Sequence, residues 1–169
     1  VFTSGATESI NFISYGLRHR VSEGDYVVIS IAEHHANLIP WQRLCEFSGA
    51  ELRFVRVDSN GKFDYKHFEE LVDKQTKIIA ISHVSNVLGT AFPVFEICRK
   101  AKEVGAVSVI DGCQGAVHYN VDVQLFNCDF YVASSHKLYG PSGVGFMYGK
   151  PDLLDEMEPM KLGGGAIAE

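Results

Sequence analysis

The chain has 169 residues, 46% of them hydrophobic and 21% charged, which is ordinary globular composition with enough length for one domain to bury a real core. A formal net charge of -6 argues against nucleic acid or an anionic membrane as the main partner, because both reward a basic surface. Apolar runs such as Val27-Val28-Ile29 and Ile78-Ile79-Ala80-Ile81 are strand-length and far too short to cross a bilayer, and no stretch has the make-up of a signal peptide.

In chain order, Gly5-Ala6-Thr7-Glu8 reads as a helix N-terminus, and Ile10 to Leu17 continues it with apolar residues at helical spacing. Tyr26 to Ser30 is a short apolar strand. Leu38 to Phe47 reads as a helix and Leu52 to Val57 as a strand. Asn60-Gly61 marks a turn before a helix at Tyr65 to Val72. A β-branched strand follows at Lys77 to Ser82, then a helix at Val94 to Val104 behind Pro93. Val107 to Ile110, Phe130 to Ala133 and Val144 to Tyr148 are the remaining strands. Strand alternating with helix predicts an α/β fold with a mainly parallel sheet flanked by helices. The chain opens at Val1 at what reads as the end of a strand or loop. It closes on 163–169, which reads as a loop followed by the start of something else, so a piece of a larger protein is expected.

In such sheets ligands gather beyond the carboxyl ends of the strands, and the polar residues follow that rule. Glu33-His34-His35-Ala36-Asn37 follows one strand, and His83-Val84-Ser85-Asn86 another. Asp111-Gly112-Cys113-Gln114 ends a third, and Ser134-Ser135-His136-Lys137 a fourth. Gly5-Ala6-Thr7-Glu8 adds a helix start with free N–H groups and a hydroxyl, suited to a phosphate. A lysine able to condense with an aldehyde, Lys137, and an acid on a separate strand, Asp111, are what pyridoxal phosphate (PLP) chemistry needs. The lysine holds the aldehyde; the aspartate keeps the pyridine nitrogen protonated so that the ring can store electrons. Gln114 would then hydrogen-bond the phenolic oxygen of the cofactor. The plain alternatives are a surface Lys137 and a turn-capping Asp111.

The residue runs already given resemble one known family. Thr3 to Glu8, Glu33 to Trp41, Val84 to Thr90, Asp111 to Gln114 and Ser135 to Pro141 are similar to the large-domain core of cysteine desulfurases and selenocysteine lyases. These are class V aminotransferase-type PLP enzymes with the aspartate aminotransferase-like fold, and the resemblance covers nearly the whole chain. It implies that residues 1–169 form a PLP-binding large-domain core. It further implies that His34 stacks on the pyridine ring and shuttles a proton, and that His35 is structural rather than a zinc ligand with its neighbour. The phosphate is expected on Thr7, the backbone of Ala6, Ser134 and His136. Ala6 stands where the family commonly has a second hydroxyl, a loss worth roughly 1 kcal/mol. For Asn86 two readings stay open: contact with the cofactor oxygen or substrate carboxylate, or locking of its loop.

The reaction that the resemblance implies converts L-cysteine, or L-selenocysteine, to alanine and passes the sulfur to an enzyme cysteine as a persulfide, for iron–sulfur cluster assembly. A cytoplasmic homodimer and a sulfur-acceptor protein are expected with it. The accepting cysteine and the arginine that clamps the substrate carboxylate belong beyond position 169 in the family. Cys45, Cys98, Cys113 and Cys128 are scattered without CxxC or zinc spacing, which reads as reduced, buried thiols. Cys113 stands where the family usually carries alanine. The alternatives are another class V PLP enzyme or a non-catalytic fragment. A nucleotide-binding protein is disfavoured, because GxGxxG and GxxxxGK[ST] are both missing, and no G-x-S-x-G elbow is present.

Overall fold

The computed structural model describes residues 1–163. The sequence expectation of a loop and a new element over 164–169 lies outside the described residues. Seven strands form one sheet: β1 (Phe2–Thr3), β2 (Tyr26–Ser30), β3 (Glu51–Val55), β4 (Thr76–Ser82), β5 (Val107–Asp111), β6 (Phe130–Ser134) and β7 (Gly145–Gly149). Their order is β1-β7-β6-β5-β4-β2-β3. Strands β3, β2, β4, β5 and β6 are parallel, while β7 runs antiparallel to both β6 and β1. The sheet is thus mainly parallel and flanked by helices, as the alternation of elements implied.

The helices are α1 (Ala6–Gly16), α2 (Ile39–Ser48), α3 (Tyr65–Leu71), α4 (Val94–Val104), α5 (Gly115–His118), α6 (Val123–Phe126) and α7 (Pro151–Glu156). Period-2 alternation along the strands divides the core between the two faces of the sheet. Val27, Ile29, Ile78 and Ala80 point to one face, where they meet Ile10, Ile13 and Leu17 of α1 and its exit and Trp41 and Leu44 of α2. Val28, Ile79 and Ile81 point to the other, against Phe68 of α3 and Ile97 and Ala101 of α4. Each large aliphatic side chain so buried contributes about 1.5–3 kcal/mol. A third cluster joins Val94 and Cys98 of α4 to Ile110, Cys128 and Tyr131.

The helix ends follow local chemistry. Asp64 caps α3 by accepting the His67 N–H at 3.0 Å, and Asp122 caps α6 by accepting from Gln124 and Leu125. At α1, Glu8 reaches back to the Ser4 N–H at 2.7 Å, and the helix begins at Ala6, one turn ahead of its first large apolar residue, Ile10. The short helices α5, α6 and α7 have too few residues to show a period in sequence.

Candidate active site

Because β2, β4, β5 and β6 are parallel, their last residues, Ser30, Ser82, Asp111 and Ser134, open on one edge of the sheet. The loops beyond them carry every polar run singled out in the sequence. The edge is narrowed by close packing at glycine. A Cβ on Gly145 would sit 2.5 Å from Gly5 Cα and 2.8 Å from the Ala133 carbonyl oxygen, so only glycine lets the start of α1 lie against β6 and β7.

That approach puts the Ala6 N–H 2.8 Å from Ser134 Oγ. Here the structure differs from the sequence reading, in which the Ala6 N–H was free: the strand-end serine takes it. The Cys113 thiol also points at Ser134 Oγ, at 3.9 Å. A hydroxyl has two lone pairs and one proton. With the Ala6 N–H on one lone pair and only the weak Cys113 sulfur group nearby, the Ser134 hydroxyl retains hydrogen-bonding capacity. Thr7 stands next to Ala6, exposed on the first turn of α1, where backbone N–H groups lack helical partners. His136 is exposed on the turn Ser135–Lys137 that follows β6.

Asp111 is 6% exposed and uses Oδ1 to accept the Cys113 N–H at 3.0 Å, which holds the turn after β5. Burial, and then the Asp111 carboxylate, push the Cys113 thiol up to about 12, with a smaller opposing effect of Lys137. The aspartate ends β5 and the lysine ends the turn after β6, neighbouring parallel strands, so both stand at the same edge of the sheet. Lys137 ends its turn half-buried, held by a Leu138 N–H to Ser135 carbonyl bond of 2.8 Å.

His34 is exposed after β2 and caps the short turn His35–Asn37, its Nδ1 accepting the Ala36 N–H at 3.1 Å. That bond leaves the proton of the neutral ring on Nε2. His34 and Thr7 line one groove of about 630 Å³ between α1 and α2, together with Tyr15, Ile39 and Pro40. His35 borders the same groove. Asn86, exposed, lines a second depression of about 360 Å³ with Ser85, Gln114 and Tyr119. The structure thus brings Ala6, Asp111, Ser134 and Lys137 together around Cys113, His34 beside Thr7, and Asn86 beside Gln114.

Sequence reading missed the groups beneath these residues. His83 is buried, stacks on Tyr119 and meets the Tyr131 hydroxyl at 3.0 Å through Nδ1. A Cβ on Gly115 would lie 2.2 Å from His83 Nδ1, and one on Gly112 would lie 1.9 Å from Tyr131. The glycines on either side of Cys113-Gln114 are therefore set by this pair. Glu33 was named only as part of a run, yet it accepts four hydrogen bonds. The signal that could have found it is Trp41, whose buried indole N–H needs an acceptor and finds Asn37 one helical turn earlier. Among the described residues no group of three His, Cys, Asp or Glu side chains is placed to hold a metal ion, and no helix is long and apolar enough to cross a membrane.

The residues fit PLP. A buried carboxylate ends one strand, with an amide three residues on, and an amine follows the end of the next strand. The Ser134 hydroxyl lies against the start of α1, beside the Thr7 hydroxyl and just before the lysine turn, and these acid, amine and hydroxyl groups suit a ring nitrogen, an aldehyde and a phosphate.

Comparison with known proteins agrees. The aminotransferase class-V model matches residues 1–169. A cysteine desulfurase of Enterobacter sp. is 48% identical over 99% of this chain and 42% of its own length. A probable cysteine desulfurase of Synechocystis sp. is 44% identical over 100% of this chain and 40% of its own. Among solved structures, the cysteine desulfurase CsdA (S-sulfonic acid) of Escherichia coli superposes with a TM-score of 0.95 at 40% identity, over 100% of this chain and 43% of that one. The apo cysteine desulfurase of Thermococcus onnurineus NA1 gives 0.94 at 39% identity, over 100% and 42%. The chain spans about two fifths of the length of these relatives, and it belongs to the class-V aminotransferase family of PLP-dependent enzymes.

Proposed function

We propose that residues 1–169 are the PLP-binding large-domain core of a cysteine desulfurase that converts L-cysteine to L-alanine and passes the sulfur to a cysteine of the enzyme as a persulfide. The observation that carries this reading is the placement of Asp111 and Lys137 at the ends of neighbouring parallel strands, with Ser134 between Cys113 and the start of α1. The names of relatives 44–48% identical over nearly all of the chain support it.

In this reading PLP, when bound, supplies an aldehyde that captures amines and a ring that stores the electron pair released at the substrate α-carbon. Thr7, the Ser134 hydroxyl and His136 hold the phosphate, and the Ala6 N–H orients Ser134 by occupying one of its lone pairs. Lys137 would hold the aldehyde through Nζ, and the same amine would serve as the base toward the substrate α-proton. The buried Asp111 carboxylate would pair with the ring nitrogen and keep it protonated. Gln114 donates to the phenolic oxygen, with Asn86 beside it. His34 would cover the ring and present Nε2–H to it, because its Nδ1 is occupied.

Sulfur must leave to a thiolate. Burial pushes Cys45 up to about 11 and Cys98, Cys113 and Cys128 up to about 12, so all four are protonated near neutrality. We therefore assign the accepting cysteine, and the arginine that clamps the substrate carboxylate, to parts of the protein outside these residues. A homodimer, a sulfur-acceptor protein, a role in iron–sulfur cluster assembly and a cytoplasmic site belong to the same proposal. The test is to load the full-length protein with PLP, supply L-cysteine under reducing conditions and follow alanine and sulfide. Equal yields of both support the reading; a keto acid with no sulfide points to an aminotransferase, and preference for L-selenocysteine to a selenocysteine lyase.

A further inference from the structure

Glu33 is a carboxylate that the proposed reaction does not use, and its surroundings are unusually complete. Oε1 accepts the Ser30 hydroxyl at 2.5 Å and the Ser82 N–H at 3.1 Å. Oε2 accepts the Ser82 hydroxyl at 2.5 Å and the Asn37 side-chain amide at 2.7 Å. Asn37, itself fully buried, uses its Oδ1 to accept the Trp41 indole N–H at 2.9 Å. Taking a charge out of water is costly, and each of these four hydrogen bonds opposes that cost.

The placement of the four donors gives the network a direction. The β2–β4 ladder pairs residues only as far as Ile29 with Ala80, and the carboxylate bridges the two strands beyond that point through Ser30 and Ser82. Ser82 in turn pairs with Asp111 across the β4–β5 ladder, and the next residue, His83, donates its N–H to the Asp111 carbonyl at 2.9 Å. On the other side, His34 lies between two anchored points. Glu33 precedes it, and Asn37, bound to the same carboxylate, ends the turn that His34 caps.

We propose that Glu33 is a positioning residue that fixes the His34 imidazole relative to Asp111, so that one buried carboxylate sets the spacing between the group over the cofactor ring and the group at its nitrogen. The inference rests on the PLP-enzyme reading above. Glu33→Gln keeps the shape but turns one acceptor into a donor facing donors, which frees one end of the His34 turn. A displacement of about an ångström in a positioned group costs on the order of a hundredfold in rate.

The experiment uses the full-length holoenzyme at pH 8, comparing wild type, Glu33→Gln, Glu33→Asp and Ser82→Ala. For each, borohydride-trapped PLP, visible circular dichroism of the bound cofactor, kcat and KM for L-cysteine, and the melting temperature are measured. Expected for Glu33→Gln is full trapping on Lys137 with a visible dichroism signal reduced by roughly half or more. Its kcat should fall on the order of tenfold to a hundredfold while KM changes little. Glu33→Asp should recover part of both the signal and kcat, and Ser82→Ala, which removes one donor, should show the same changes at smaller size. Wild-type dichroism and kcat per bound cofactor in Glu33→Gln overturn the inference, whatever happens to the melting temperature. Should Glu33→Gln fail to fold, Ser82→Ala decides: unchanged dichroism and kcat there overturn it. A wild-type protein that traps no PLP instead overturns the functional reading, and this inference falls with it.

Discussion

Gly145→Ala is the substitution through which the fold most directly reaches the site. The new methyl group would stand 2.5 Å from Gly5 Cα and 2.8 Å from both the Ala133 carbonyl oxygen and the Gly5 carbonyl carbon. Ordinary contact begins near 3.4 Å, and the nearest atoms are all backbone, so no side chain can swing aside. The start of α1 must therefore retreat from the sheet by about 0.9 Å, the shortfall at Gly5 Cα. The Ala6 N–H to Ser134 Oγ bond, 2.8 Å long, is then stretched past hydrogen-bonding range. Overpacking costs about 1–3 kcal/mol and the lost bond about 1 kcal/mol more, roughly 2–4 kcal/mol in all. In the full-length protein the melting temperature should drop, and PLP affinity should fall on the order of tenfold or more, since a second bond of similar worth, from Ser134 to the phosphate, is misaimed. Gly163→Ala, with open space around it, is the control and should change neither. PLP titration by absorbance, with thermal unfolding alongside, checks both. Wild-type PLP affinity in Gly145→Ala would refute the claim that the α1–Ser134 contact builds the phosphate site.

Three further outcomes are expected. Asp111→Ala should keep PLP trappable on Lys137 but slow exchange of the cysteine α-proton on the order of a hundredfold, measured by deuterium incorporation; near-normal exchange would sink the electron-sink role. Glu33 is pushed up to about 7 by burial that outweighs its four hydrogen bonds. The folded state therefore holds this proton more tightly than the unfolded chain, and the associated stability is full below the usual value of 4.5 and lost as pH rises through about 7. Wild-type stability, measured by denaturant titration, should decline over that window more steeply than that of Glu33→Gln, and parallel curves would contradict it. Finally, Cys113→Ser in the full-length enzyme should leave sulfide release within about twofold, because a thiol at about 12 is a poor nucleophile at pH 8. Loss of turnover with PLP still bound would make Cys113 the sulfur acceptor.

Much of this was legible in the sequence because the strands announce themselves. Val27 to Ile29 and Ile78 to Ile81 are apolar on both faces, as a sheet covered on both sides requires, and each is followed by polar residues at the edge where ligands gather. Lys137 and Asp111 were singled out for that reason, and both lie at that edge. What escaped was whatever depends on residues far apart in sequence. The antiparallel course of β7 was not visible in Val144 to Tyr148, which reads as one more strand. The engagement of the Ala6 N–H by Ser134 joins positions 128 residues apart and depends on two glycines meeting. Glu33 looked like a member of a polar run, and His83 like the start of another. Their roles come from Ser82, Asn37 and Tyr131, which no local spacing connects to them.

The central claim is that Lys137 and Asp111 share one cofactor, and the most direct test is where that cofactor attaches. The full-length protein, loaded with PLP and reduced with borohydride, should yield a single labelled peptide carrying the phosphopyridoxyl group on Lys137. Lys137→Ala should bind PLP only non-covalently and release no sulfide from cysteine. A label on any other lysine, or a Lys137→Ala variant that still traps PLP and turns cysteine over, would contradict the account.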